Sequence, residues 1–147
     1  MFEHRIINNE GFKMDLLKYL KENNAQKQID KLAKKLKGKK IAIYGAGEYF
    51  ELIEKNYDLS ELNIVAIADL KFETDKDSNN TSYKPIAPNE LKDLDIDVIV
   101  MALINDINVL KIVDEKILKG SKNENVRIMP LISPTLKYII KLYFNKI

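Results

Sequence analysis

The spacing of apolar positions changes once along this chain, and the change divides it. Across residues 11–37, Phe12, Leu16, Leu20, Ile29, Leu32, Ala33 and Leu36 recur at three- and four-residue intervals with lysines and acids between them. That spacing predicts one long amphipathic helix, with a break or kink at Asn23-Asn24. Gly38 is placed to cap it, and the lysines of residues 31–37 suit the negative end of its dipole. Beyond Lys40 the apolar residues gather into short continuous runs at residues 41–44, 63–68 and 97–102. Such runs are expected of strands buried on both faces. Helices are predicted between and after them, at residues 48–56, 88–94 (opened by Pro88) and 105–119, the last capped by Gly120. Residues 84–86 read as a short edge strand, where Pro85 is tolerated, and residues 126–129 as a final strand. Residues 71–83 (KFETDKDSNNTSY) are polar and turn-rich, which predicts an exposed loop. A terminal helix is expected from Ser133 to about Asn145.

Strands alternating with helices define an α/β protein with a parallel sheet covered on both faces. Short crossovers leave few topologies, and a Rossmann-like order 3-2-1-4-5 with a short third strand is the one expected. The binding crevice of such a sheet lies at the carboxyl ends of strands one and four, where the winding reverses. The division expected is a helical extension over residues 1–38 and a Rossmann-like domain over residues 39–147.

Composition then removes several classes of function. The chain has 147 residues, enough to bury a core without a metal or disulfide, and no cysteine. A disulfide framework, a thiolate nucleophile and a cysteine metal site are therefore excluded. Basic and acidic residues number 24 and 22, a net charge of +2 that calls for neither nucleic acid nor an anionic membrane. The start, Met-Phe-Glu-His-Arg, is charged where a signal peptide is apolar, and no apolar run has the ~20 residues of a membrane span. A cytoplasmic protein is expected, and the sequons at Asn79 and Asn80 carry no weight without secretion.

The chemistry rests on Gly45-Ala46-Gly47, where the first strand turns into the first crossover helix. Gly45 permits a tight turn, and Gly47 lets backbone approach a pyrophosphate. The N–H groups of Glu48 and Tyr49 would point at the anion, helped by the helix dipole. Asp69 ends the second strand about 20 residues later, where an acid holds a ribose hydroxyl. The opposite wall would come from Ala102, Leu103 and Asn105. Two features depart from the dinucleotide fingerprint: Phe50 stands in place of its third glycine, and Glu48 brings negative charge to the helix start. In the competing reading the glycines serve only the turn, and Asp69 only caps a strand.

The runs IAIYGAGEYFELIEKN, NIVAIADL and YKPIAPNELKDLDIDVIVMAL resemble the Rossmann-like domain of bacterial surface-polysaccharide enzymes. Similar modules stand at the front of nucleoside-diphosphate-sugar dehydratases and epimerases, sugar O-acetyltransferases and some FkbM-type methyltransferases. Gly45, Gly47, Asp69, Leu91, Asp97 and Ala102 match their pattern, over residues 39–131. The resemblance implies NAD or a nucleotide sugar as ligand. The chain lacks the Tyr-x-x-x-Lys pair of the dehydratases, the repeat helix of the acetyltransferases and a methyltransferase domain. It therefore looks like the accessory module alone, with no catalytic residue assigned and a separately encoded catalytic partner implied.

Other groups have plainer readings. His4, the only histidine, has no partner near it in sequence. Asp93, Asp95 and Asp97 alternate at a strand entrance as solubilising charge, with a metal site as the alternative and none expected. Lys34, Lys35, Lys37, Lys39 and Lys40 form a solvated face. Tyr44 reads as core, whereas Tyr49 could stack on a base. The terminal helix is too apolar to stand free and must cover the sheet, the N-terminal helix or a second subunit, with a membrane surface as the outside option. A homodimer is expected. Three functions compete: a nucleotide- or NAD-binding module, a small nucleotide-sugar enzyme, and an interaction domain without a ligand.

Overall fold

The computed structural model describes residues 9–104 and 107–145. Five parallel strands, β1 (Ile41–Tyr44), β2 (Ile64–Ala68), β3 (Pro85–Ile86), β4 (Val98–Met101) and β5 (Arg127–Pro130), form one sheet ordered β3-β2-β1-β4-β5. This is the Rossmann-like order expected from the alternating pattern. β1 is central, aligning Tyr44 with Ala68 of β2 and with Met101 of β4.

The two sheet faces hold separate cores, because successive side chains of a strand point to opposite sides. Ile41, Ile43, Ile67 and Val100 pack with Phe50 and Ile53 of α3 (Glu48–Asn56), the β1–β2 crossover. Ala42, Tyr44, Ala68, Ile99 and Met101 pack on the other face with Leu91, Val113 and Leu118. That second layer comes from the turn of 3₁₀ helix at Pro88–Lys92 and from α4 (Ile107–Lys111), which continues into a wider π-helical stretch, Ile112–Leu118. Asn123, almost fully buried, binds them together by donating from Nδ2 to the carbonyls of Leu91 and Leu94, at 2.7 and 2.8 Å.

The long N-terminal helix is two helices, α1 (Asn9–Glu22) and α2 (Ala25–Lys35). Asn24 takes φ +52°, a left-handed conformation that asparagine tolerates and a helix interior cannot accommodate. Asn23 is fully buried; its Nδ2 donates to the Tyr19 carbonyl, and its Oδ1 accepts from the N–H of Thr135. Leu16, Leu20, Ala25, Ile29 and Leu36 share the core of the α3 face, so these helices are an added layer of the same body. The polar loop after β2 is more ordered than its composition predicts. It holds 3₁₀ turns at Leu70–Glu73 and Lys76–Ser78, and Phe72 within it is buried. The terminal helix, α5 (Leu136–Asn145), leans on α1 and buries no residue. Among the described residues, no helix is long and apolar enough to cross a membrane.

Candidate functional site

The ends of β1 and β4 lie side by side, and the hydrogen-bond ladder runs one residue past each. Ala102 N donates to the Tyr44 carbonyl and Gly45 N to the Ala68 carbonyl, both at 2.8 Å. Gly45 is thereby pressed against the neighbouring strand. Its φ is +116°, and a Cβ added there would stand 2.6 Å from the Ala102 carbonyl oxygen and 3.0 Å from Leu103 Cδ2. Only glycine fits such a conformation and such an approach. Gly47 is the opposite case: it is exposed, has ordinary extended backbone, and an added Cβ would meet nothing within 4 Å. Of the two glycines, Gly45 builds the turn and Gly47 leaves a space open at the start of α3.

Asp69 reaches across from the end of β2 into this turn. Its Oδ2 accepts from Ala46 N at 2.7 Å, and its Oδ1 accepts from Lys71 N at 3.0 Å, capping the 3₁₀ turn that follows. Lys71 completes the brace, its Nζ donating to the Ala46 carbonyl at 2.7 Å. Both backbone groups of Ala46 are thus held from the segment that follows β2, and the residue is fully buried. Asp69→Ala would leave the Ala46 and Lys71 N–H groups without acceptors and should cost about 1–3 kcal/mol in denaturant unfolding. Stability equal to that of the native protein would show that the brace carries no strain.

The expected site residues fall into distinct groups. Gly45, Ala102 and Leu103 are in mutual contact, and Asp69 joins them through Ala46. No described residue accepts from the N–H groups of Gly47, Glu48 or Tyr49, which leaves the first turn of α3 open to an acceptor from outside. Glu48 pairs with Lys13 Nζ of α1 at 3.5 Å, which partly offsets its negative charge. The Tyr49 side chain is buried against α1, and desolvation, with the Tyr19 hydroxyl nearby, pushes its phenol pKa well up. Tyr49 therefore offers its backbone to the site, and its ring is not free to stack on a base. Phe50 fills the place of the missing glycine with a fully buried ring tilted against Tyr83, centroids 6.1 Å apart. Asn105 and His4 lie outside the described residues.

Lys71 was not singled out by sequence reasoning. The residue is half-buried, and its ammonium stands at the turn, 5.4 Å from the centroid of the Phe72 ring, with no carboxylate of a described residue paired to it. The available signal was its place two residues after the acid that ends β2. Two of the three acids at the entrance to β4 have structural partners: Asp95 pairs with Lys40 Nζ, and Asp97 Oδ2 accepts from Lys40 N at 2.8 Å. No three metal-ligating side chains cluster among the described residues.

Fold and turn together define a doubly wound α/β protein of Rossmann-like class, with a glycine turn at the point where the winding reverses. Comparison with protein-family models, curated proteins and solved structures finds no match to the chain.

Proposed function

We propose that the chain is a nucleotide-binding module that takes the diphosphate of NAD, or of a nucleotide sugar, over Gly47 at the start of α3. The observation that carries this reading is the open first turn of α3 at the switch point. No described residue claims the three N–H groups there, and no described side chain stands over Gly47. The helix dipole and the Lys71 ammonium favour an anion at that place. The resemblance to the front modules of bacterial surface-polysaccharide enzymes supports a cytoplasmic role in sugar metabolism. The module works as a homodimer beside a separately encoded catalytic partner.

A thermal-shift panel of NAD, NADP, CoA, UDP-sugars and free nucleotides tests the reading. A ligand at a hundred times its Kd stabilises by about 2.7 kcal/mol. No shift with any member would overturn it. Within the panel, NAD is expected to bind more tightly than NADP. Asp69 keeps lone pairs beyond those used by Ala46 and Lys71, so its carboxylate can accept from a ribose hydroxyl and repels a 2′-phosphate. Equal or tighter binding of NADP in calorimetry would remove that role from Asp69.

A second reading has its own observation. Asp69 and Lys71 satisfy Ala46 internally, so the turn is held without a ligand, as an interaction domain that has kept only the fold would require. A small nucleotide-sugar enzyme is the remaining alternative, and it would need turnover of a UDP-sugar.

A further inference from the structure

The outer side of α2 carries charge that no described residue answers. Lys27, Lys31 and Lys35 are exposed and follow one another at four-residue spacing, so they stand in line along the helix. Like charges at that spacing repel, and an acid between them would relieve the repulsion. Asp30, the only acid of α2, accepts from Gln26 Nε2 at 3.0 Å and lies with Lys34 on the other flank. No carboxylate of a described residue pairs with Lys31 or Lys35. These two lysines are the rim of a groove of about 220 Å³, floored by Leu32 of α2 and by Pro130 and Leu131 at the end of β5. Gln28 also lines it, but its amide is engaged with the Asn23 carbonyl and with both backbone groups of Ser133. Arg127 extends the positive charge along β5: it is exposed, and by strand alternation it shares the sheet face of Met129 and Leu131.

We propose that this groove takes a segment of a partner protein in which carboxylates flank an apolar side chain. Charge and shape choose that occupant. Two ammonium groups one helical turn apart are complemented by carboxylates, and the floor by a side chain that keeps water from it. Leu131 N donates inward to Met101, so the outward position at this end of β5 belongs to Pro130, which has no N–H. A second strand cannot pair there, and the segment is held by side chains. A nucleic-acid backbone would use the ammonium groups and leave the apolar floor wet. A bilayer needs apolar groups that protrude, and Leu131 is only 2% exposed. The groove is near the switch point. Pro130 aligns with Met101 and Met101 with Tyr44, which puts it two strand spacings, roughly 10 Å, from β1. The separately encoded catalytic partner of the reading above would thus dock beside the ligand. Only the partner's identity rests on that reading, because the groove is complete without a ligand at Gly47.

Fluorescence anisotropy with a labelled octapeptide, two leucines between triplets of glutamate, tests the groove. At ~0.15 M salt the Debye length of about 8 Å confines the effect to near charges. The native protein is expected to bind the peptide, and Lys31→Glu/Lys35→Glu to bind it at least about tenfold more weakly with an unchanged thermal melt. Lys34→Glu/Lys37→Glu makes the same change of net charge on the other flank and should stay within about threefold of native. If the first variant does not fold, Lys31→Gln/Lys35→Gln carries the same test. Absence of binding to the native protein, or equal loss in the two charge variants, would overturn the groove. Equal affinity for a peptide with serines in place of the leucines would overturn it too. Tighter binding of oligothymidylate or of phosphatidylserine vesicles, lost in the Lys31→Glu/Lys35→Glu variant, would overturn the protein partner and give the surface to that ligand. NAD is absent throughout, so the result stands apart from that of the thermal-shift panel.

Discussion

Gly45→Ala is expected to cost about 2–4 kcal/mol of folding stability while the sheet order is kept. Two effects add. Placing an L-residue at φ +116° carries a backbone penalty of roughly 1–2 kcal/mol. The new methyl would also stand 2.6 Å from a backbone oxygen, that of Ala102, and crowding of this kind costs about 1–3 kcal/mol. The strand cannot yield cheaply, because Ala102 N is bonded to the Tyr44 carbonyl in the ladder. In denaturant the midpoint should fall with the slope unchanged. Gly38→Ala separates the two effects: Gly38 has φ +78°, but nothing lies within 4 Å of an added Cβ, so only the backbone penalty of about 1 kcal/mol applies. Equal losses in the two variants would show that the approach to Ala102 costs nothing.

The contrast between these glycines marks how far the sequence could be read. The sheet was legible because Ile41–Tyr44, Ile64–Ala68 and Val98–Met101 are apolar on both faces, and only a covered parallel sheet hides both. The glycine turn was legible as a place, since a strand runs into it and a helix leaves it. Its internal wiring was not. An acid at the end of β2 suits a ribose hydroxyl and a turn N–H equally well by residue type. The bond from Ala46 N to Asp69 exists only once β1 and β2 are paired. Lys71 was hidden for a related reason: its place two residues after Asp69 could be read, but its reach to the Ala46 carbonyl exists only once the chain folds back over the turn.

The helices show a second limit. Asn23-Asn24 was readable as an interruption, but the left-handed Asn24 and the burial of Asn23 turn a kink into a boundary. The helices on either side of it both cover the sheet, which leaves the terminal helix as the element without a full partner. In LKYIIKLYFN the residues Leu136, Ile139, Ile140, Tyr143 and Phe144 share one side, yet these are exposed, so periodicity does not name the inner face found. The Tyr138–Tyr19 contact and the Lys141–Glu22 pair choose it, and both depend on where α1 already lies.

Gly47→Val should abolish ligand binding and leave the fold intact. Gly47 has φ −90° and ψ −166°, extended backbone open to any residue, and an added Cβ meets nothing within 4 Å. Valine is a poorer first residue for a helix than glycine, so a stability change within about 1 kcal/mol is expected in the absence of ligand. Binding is another matter. The N–H groups of Gly47, Glu48 and Tyr49 can reach a diphosphate only if its oxygens come within hydrogen-bond distance of this backbone, and an isopropyl group would occupy that approach. Loss of two or three charge-assisted bonds at about 1.5–3 kcal/mol each corresponds to a fall in affinity of at least a hundredfold. Calorimetric titration with NAD, beside a thermal melt of the unliganded variant, reads both quantities. Gly47→Ala should fall between, because a methyl covers less of the same space. Affinity for NAD equal to that of the native protein, in a Gly47→Val variant with native stability, would move the ligand away from this turn and leave Gly45 and Asp69 as purely structural residues.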